Sequence, residues 1–323
     1  MEFIKNPDFD FLGRARACLV ASLCVVAGGL YLFGTRGLSY GVEFSGGTQL
    51  VVQFSSPPAI DRVRDAVEPV APGAVIQTYD DPSKNQVLIR IAEVGEAADD
   101  TAAAGSDDDD KKGLDAPARR ALKAIGDSYP ENAVLGSSTE IVGPIVGAEL
   151  RTKAVNITVL GLMFQLMYIA FRFKGAVWGA AATLAVLHDV LVTLTLLTLF
   201  DYEITLNVIA ALLTLVGYSV NDTIVIFDRA RENLRQRRKV DLQTLLNTSV
   251  NQTLSRTLIS TGTTFMAVLS LFLFGGEVLR GFAFTMVVGV LVGTYSTIFI
   301  ATPFVLWWRR LKGKEPAAKA TAA

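Results

Sequence analysis

Residues 204–227 read ITLNVIAALLTLVGYSVNDTIVIF, and Asp222 is the single charged residue in this stretch. A helix needs about 20 apolar residues to cross the ~30 Å of hydrocarbon in a bilayer. The stretch is long enough, so it predicts a membrane-spanning helix that carries one buried acid. Because a charge inside the hydrocarbon is costly, Asp222 indicates either a function or a specific partner.

Five further windows have the same character. They are residues 17–35, 154–171, 175–200, 257–276 and 281–308, and the one charge among them is Asp189 in the third. Charged residues make up 19% of the 323-residue chain, so they are concentrated between these windows. Buried helices of a large soluble protein are the alternative. Six such windows in one chain favour a polytopic α-helical membrane protein with six transmembrane helices.

The first window predicts an uncleaved anchor helix. Its N-terminal flank contains Glu2, Asp8 and Asp10, unlike the basic start of a cleaved signal peptide. Cys18 and Cys24 are six positions apart and therefore do not face each other on one helix, which disfavours a disulfide or a metal site. The formal net charge of −1 gives no indication of nucleic-acid binding.

Lysine and arginine predict the orientation, because they are enriched in cytoplasmic loops. Bases flank the first window and occur in the loops after the second and fourth windows and in the C-terminal tail. The two turns on the other side contain one base, Arg280. We therefore predict that both termini are cytoplasmic. The chain then divides into a cytoplasmic segment 1–16, a first span 17–35, an exported domain 36–151, spans two to six within 152–311, and a cytoplasmic tail 312–323.

A strongly basic cytoplasmic loop is predicted over residues 228–250. Orientation and contact with anionic membrane lipid account for its charge, and a cytoplasmic protein partner is the alternative.

The exported segment predicts a small α+β domain. Strands are expected over Val42–Phe54, Val75–Tyr79, Gln86–Ala92 and Ala133–Val142, and amphipathic helices over Ala59–Val70 and Leu114–Ser128. This order, βαββαβ, is that of a ferredoxin-like domain.

Two segments of this domain contain residues that resemble ligand-binding motifs. Residues 95–113 contain Ser106-Asp-Asp-Asp-Asp-Lys111, which predicts a flexible, solvated insert, since consecutive acids lack the alternating spacing of a calcium loop. The string also resembles an enteropeptidase site, which leaves open whether it is natural or engineered. Gly41-Val-Glu-Phe-Ser-Gly-Gly-Thr48 lacks the lysine of a phosphate loop, so its glycines indicate a tight turn or bulge.

The candidate functional residues lie inside the predicted spans. Asp222 follows Asn221 in a run of small and polar residues, and we place it roughly 9 Å from the cytoplasmic end of its span. Arg256 lies about 12 Å into the next span, so antiparallel neighbours bring the two to similar depth. An acid beside an arginine keeps its charge, and separating them favours protonation, which makes the pair a proton switch. Asp189 and His188 are weaker relay candidates, since both also suit helix–helix hydrogen bonds.

Several motifs resemble the SecF family of bacterial protein-export membrane proteins. The longest is Gly217-Tyr-Ser-Val-Asn-Asp-Thr-Ile-Val-Ile-Phe-Asp-Arg-Ala-Arg-Glu-Asn-Leu234. The others, in chain order, are Gly41–Thr48, Val142-Gly-Pro-Ile-Val-Gly-Ala-Glu-Leu150, His188-Asp-Val190, Ser255-Arg-Thr257 and Gly293-Thr-Tyr-Ser296. The resemblance covers nearly the whole chain. Glu43 stands where the family often has Asp, and the insert 95–113 has no counterpart.

The resemblance implies the half-transporter fold of the resistance-nodulation-division superfamily in the bacterial cytoplasmic (inner) membrane, with residues 36–151 periplasmic. It implies a heterodimer with SecD, work beside the SecYEG channel with YajC and YidC as further neighbours, and preprotein as substrate. The family uses the proton motive force after the ATP-driven step of export. Asp222 and Arg256 match positions implicated in proton transport, and no cofactor, metal or catalytic residue is implied.

Three alternative functions remain at this point. A small-molecule exporter half would need a larger exported domain. An intramembrane enzyme would need a motif such as His-Glu-x-x-His or paired aspartates suited to membrane proteolysis, and the sequence has neither. A structural scaffold predicts that Asp222→Asn leaves proton-driven export unchanged.

Overall fold

A computed structural model describes residues 7–79, 82–91, 116–142, 144–172, 175–236 and 240–312. The acidic insert 95–113 lies outside the described residues, as do residues 1–6, the bases at 237–239 and most of the predicted tail.

Six helices of the described chain are long and apolar enough to cross a membrane. They are α1, Phe11–Arg36; α5, Pro144–Arg172; α6, Ala176–Leu199; α7, Leu206–Gln236; α8, Leu242–Phe274; and a last span in which α9, Gly276–Ser296, continues through a π-helical turn, Thr297–Ala301, into α10, Thr302–Leu311. Pro303 lacks the N–H of a helix interior, and the π turn just before it accommodates this break.

Three of the spans form the centre of the bundle. About half of the most apolar 18-residue window of α6, α7 and the last span is buried, compared with 11–12% of the corresponding window of α1, α5 and α8. The central helices pack through small residues, since a side chain at Gly289 or Gly293 would collide with Leu215 or Ser219 of α7. The outer helices therefore leave broad apolar faces for lipid or protein neighbours.

The small domain is a four-stranded antiparallel sheet with two helices on one face. Its strands are β1, Gly47–Phe54; β2, Val75–Tyr79; β3, Gln86–Ile91; and β4, Val134–Val142, in the order β2-β3-β1-β4. The helices α3, Ile60–Val67, and α4, Ala116–Ser128, cover a core that includes Leu50, Val63 and Ile125, all fully buried. This is the ferredoxin-like arrangement, and the predicted fold class is confirmed.

The predicted strand Val42–Phe54 was wrong in its first half. Residues Val42–Ser45 form a single helical turn, α2, and the strand starts at Gly47. The reversal between them needs positive φ values, 75° at Gly46 and 139° at Gly47, which glycine adopts without strain. The backbone of α5 also approaches closely here, because a Cβ on Gly147 would lie 2.9 Å from the nitrogen of Gly46.

The predicted loop 228–250 is largely helical. α7 continues to Gln236, and α8 begins at Leu242, where Asp241 caps the helix through the N–H groups of Gln243 and Thr244. Arginine, glutamate and glutamine favour helix as strongly as most apolar residues do. Loss of hydropathy therefore marks the edge of the hydrocarbon and not the end of the helix.

The sheet lies over one end of the bundle. Ile204 exchanges backbone hydrogen bonds with Ser39 and Gly41, and Arg90 of β3 forms an ion pair with Glu203. The start of α1 and the end of α10 lie together at the other end of the bundle. Asn251 of α8 forms hydrogen bonds with the backbone of Phe9, and Arg310 of α10 donates a hydrogen bond to Gln243 of α8. Both described chain ends thus lie on the side opposite the small domain.

Candidate functional site

Asp222 lies at the centre of the bundle, where α7 meets α8 and α9. Its side chain is 3% exposed. Thr261 of α8 donates a hydrogen bond to Asp222 Oδ2 at 3.3 Å, and Thr261 in turn shares a hydrogen bond of 2.9 Å with Thr294 of α9. The acid is therefore tied to two neighbouring helices through hydroxyl groups.

Arg256 and Asp222 lie equally far from the neighbouring ends of their helices, and farther from them than the predicted distances of about 12 and 9 Å, because α7 and α8 extend beyond the apolar windows. Asp222 is 14 positions before the end of α7 at Gln236, and Arg256 is 14 positions after the start of α8 at Leu242. At 1.5 Å per residue both lie about 21 Å from those neighbouring helix ends. The guanidinium is exposed on the outer side of α8 and interacts with Asp222 electrostatically, although the two described side chains form no ion pair within 4.0 Å.

Asn221 points away from this centre. It is exposed on the outer face of α7, which it shares with Gly217 one turn earlier and Thr214 two turns earlier. The structure therefore does not bring Asn221 into the hydrogen bonds of Asp222.

Asp189 is the centre of a second polar cluster, which contacts α7 at Ser219, three positions before Asp222. Its side chain is 1% exposed and accepts hydrogen bonds from Ser219 of α7 and Ser296 of α9, at 2.5 and 2.9 Å. His188 Nδ1 lies 3.1 Å from the other carboxylate oxygen. One acid thus joins α6, α7 and α9, which are the three most buried spans.

The sequence reasoning missed the hydroxyl groups that hold both acids. Ser219 and Thr223 are one turn apart on α7, and Thr223 shares a hydrogen bond of 2.8 Å with Thr297 of the π turn. The available signal was Ser or Thr recurring at helical spacing inside apolar windows. Such residues form interhelical hydrogen bonds in membranes, so they mark the buried faces of these helices.

Two buried hydroxyls next to Asp222 have no hydrogen-bond partner in the described chain. They belong to Tyr218, one turn before Asp222 on α7, and Thr257, one turn before Thr261 on α8. Buried hydroxyls without a protein partner are sites where water binds. Tyr218 and Thr257 therefore add polar groups to α7 and α8 within one turn of Asp222 and Thr261.

The described residues contain no group of three His, Cys, Asp or Glu that could hold a metal ion.

Two protein families match the chain. "Protein export membrane protein SecD/SecF, C-terminal" matches residues 123–311, and "SecD/SecF GG Motif" matches residues 31–58, which include the turn at Gly46 and Gly47. The chain is 39% identical to the protein translocase subunit SecF of Calditerrivibrio nitroreducens, over 97% of this chain and 98% of that protein. It is 35% identical to the SecF of Vibrio alginolyticus, over 93% and 90%.

The fold resembles a solved export protein. The crystal structure of SecDF, a translocon-associated membrane protein from Thermus thermophilus, matches with a TM-score of 0.76 at 34% identity. The match covers 94% of this chain and 39% of SecDF, so this chain spans about two fifths of that protein.

Proposed function

Because the chain belongs to the SecD/SecF family of protein-export membrane proteins, we propose that it is the SecF half of an accessory complex that draws preproteins across the bacterial inner membrane with the proton motive force. Its partner is SecD, and the complex acts beside the SecYEG channel, with YajC and YidC as further neighbours. The proton drives a step that follows the ATP-driven insertion of the preprotein.

One observation carries this proposal: Asp222 is a buried acid in the middle of a membrane-spanning helix. An ionisable group at this depth is costly and is kept where ions or protons move. Arg256 lies at matching depth on the adjacent helix, and hydroxyl groups of Thr261, Thr257 and Tyr218 line the interface. Protonation of Asp222 removes its negative charge and therefore its attraction to Arg256. Loss of this attraction favours a conformation in which α7 and α8 are shifted relative to each other.

We expect the shift of α7 to displace the small domain. We place it in the periplasm and both termini in the cytoplasm, as the distribution of lysine and arginine favours. The ion pair of Arg90 with Glu203 joins the sheet to the turn between α6 and α7, and the backbone bridge at Ile204 joins that turn to the segment that leads from α1 into the small domain. A displacement of α7 is thereby passed to the sheet, whose position controls the emerging preprotein.

Asp189 has a structural role in this account. It accepts three hydrogen bonds from fixed partners, so it holds α6, α7 and α9 together while α8 moves. His188 positions its carboxylate.

The test is export into sealed membrane vesicles under an imposed proton gradient, with this chain co-expressed with a SecD partner. We expect Asp222→Asn and Arg256→Ala to reduce export to the rate of vesicles that lack the chain, while ATP-driven insertion continues. Asp61→Asn, at an exposed acid of the small domain, is the matched control and should export normally. Wild-type export from Asp222→Asn would instead favour a structural scaffold.

A further inference from the structure

An apolar crevice of about 600 Å³ opens at the end of the bundle where the chain termini lie. It is formed by α1, α6 and α10, with the first turn of α8 at one end. Its inner wall consists of buried residues, Leu12, Ala15, Ile300 and Leu306. Leu19, Leu184 and Trp307 form the outer rim and are 40–55% exposed, so the crevice opens sideways toward the hydrocarbon.

The polar residues of the crevice are basic or neutral. Arg16 of α1 and Arg310 of α10 line it, together with Gln243 of α8, which accepts a hydrogen bond of 3.1 Å from Arg310 Nη2. No carboxylate is among the described lining residues. Asp10 and Asp241, which immediately precede α1 and α8, accept hydrogen bonds from backbone N–H groups as the N-caps of these helices.

The π turn explains why a crevice exists here. Residues Thr297–Ala301 and the following Pro303 interrupt the regular hydrogen bonding of the last span, and Ile300 and Pro303 both line the crevice. Such an interruption changes the direction of a helix and prevents it from packing evenly along a straight neighbour. The gap between α1 and α10 is thus encoded in the sequence.

We propose that this crevice binds one anionic glycerophospholipid, with an acyl chain along the apolar wall and the phosphate between Arg16 and Arg310. Charge complementarity selects this occupant, because two arginines at the end of an apolar slot between membrane helices match a phosphate attached to a hydrocarbon chain. Trp307 lies at the rim, as tryptophan does at the level of lipid headgroups. The volume is within the range of ordinary ligand pockets.

The lipid has a structural consequence at this end of the bundle. The most apolar window of α1 is only 11% buried, and the start of the helix is attached to α8 through hydrogen bonds of Phe9 and Phe11 to Asn251 and Asn247. A lipid that contacts both Arg16 and Arg310 links α1 to the last span. Anionic lipid should therefore stabilise the arrangement of the outer helix, independently of whether Asp222 carries protons.

Native mass spectrometry of the full chain in mild detergent tests the proposal. The delipidated protein is offered equal amounts of phosphatidylglycerol and phosphatidylcholine with identical acyl chains. Each arginine contributes about a fivefold preference for the anionic lipid, so the wild type should retain one phosphatidylglycerol with roughly 25-fold preference. The double variant Arg16→Gln with Arg310→Gln should lose this preference. Arg14→Gln, on the same helix but outside the crevice, should keep it.

Two further measurements test the crevice independently of the arginine variants. Leu19→Trp fills the rim without changing charge and should reduce binding of both lipids, which tests the crevice even if the arginine variants fold poorly. Glycerol phosphate and inorganic phosphate should not displace the lipid. Equal losses in the Arg14 and Arg16/Arg310 variants, displacement by free phosphate, or loss of the lipid on addition of a SecD partner would each overturn the proposal.

Discussion

Thr261 donates a hydrogen bond to Asp222 at 3.3 Å, whereas Arg256, five positions earlier on the same helix, is exposed and forms no ion pair with that carboxylate. The acid is thus held by a neutral hydroxyl in this structure, and the arginine acts on it from a distance. A neutral partner accommodates both the charged and the protonated acid, because a threonine hydroxyl can donate or accept. This arrangement suits a residue that changes protonation state.

Thr261 should therefore be needed for proton-coupled export. Thr261→Val keeps the shape of the side chain but removes the hydroxyl, so we expect proton-driven export in vesicles to fall by at least about tenfold. Thr261→Ser retains the hydroxyl and should export at close to the wild-type rate. Equal loss in both variants would show that packing matters here and not the hydrogen bond.

The cluster around Asp189 should contribute to stability. Ser296→Ala removes one hydrogen bond to the buried carboxylate and should lower the free energy of unfolding by about 0.6–2 kcal/mol. Asp189→Ala removes all three and should cost more than twice as much. Thermal unfolding in detergent measures both.

Thr263→Ala is the control for this cluster, because Thr263 is exposed and its hydroxyl bonds only its own helix backbone. Unchanged unfolding of Asp189→Asn combined with abolished export would contradict the structural role and place Asp189 in the proton route.

The ion pair between Arg90 and Glu203 should fix the small domain on the bundle. Its side chains are 20% and 24% exposed, so we expect a coupling energy of about 1 kcal/mol in a double-mutant cycle. Arg90→Glu or Glu203→Arg alone should speed hydrogen exchange at β3 and at the turn Asp201–Glu203, and the charge-swapped double variant should restore protection. Additive effects in the double variant would show that the pair is not coupled.

Gly46 should be sensitive to any side chain. Its backbone angles, φ 75° and ψ 159°, lie in a region that is essentially confined to glycine, so Gly46→Ala should cost about 1–3 kcal/mol in the free energy of unfolding. Gly136→Ala is the matched control in the same domain, since a Cβ there meets nothing within 4 Å. Equal stability of the two variants would contradict the importance of the turn.

The sequence predicted the membrane spans well because each needs an uncharged run of fixed length. It predicted the sheet well because strand residues alternate between a buried and a more exposed face, as they do along Thr48–Phe54. It failed at Val42–Ser45, where an apolar run forms a helical turn because the following glycines reverse the chain. It also failed to predict the helical ends of α7 and α8, because polar residues continue a helix that hydropathy no longer marks.

The candidate site was predictable only in its charged members. Asp222, Asp189 and Arg256 are conspicuous because charges are rare in membrane spans. Ser219, Ser296 and Thr261 are ordinary residues there, and only the packing of three helices shows which of them face an acid. The exposed position of Asn221, beside the buried Asp222, likewise depends on how α7 is rotated in the bundle.

If Asp222 carries a proton across the membrane, the proton flux through the protein should depend on its carboxyl group, and measuring this flux is the most direct test. Liposomes that contain this chain with a SecD partner and a pH-sensitive dye inside would be placed in a proton gradient. We expect rapid internal acidification with the wild type and with Asp61→Asn. With Asp222→Asn we expect a rate equal to that of protein-free liposomes. Acidification at the wild-type rate by Asp222→Asn would show that Asp222 does not carry the proton.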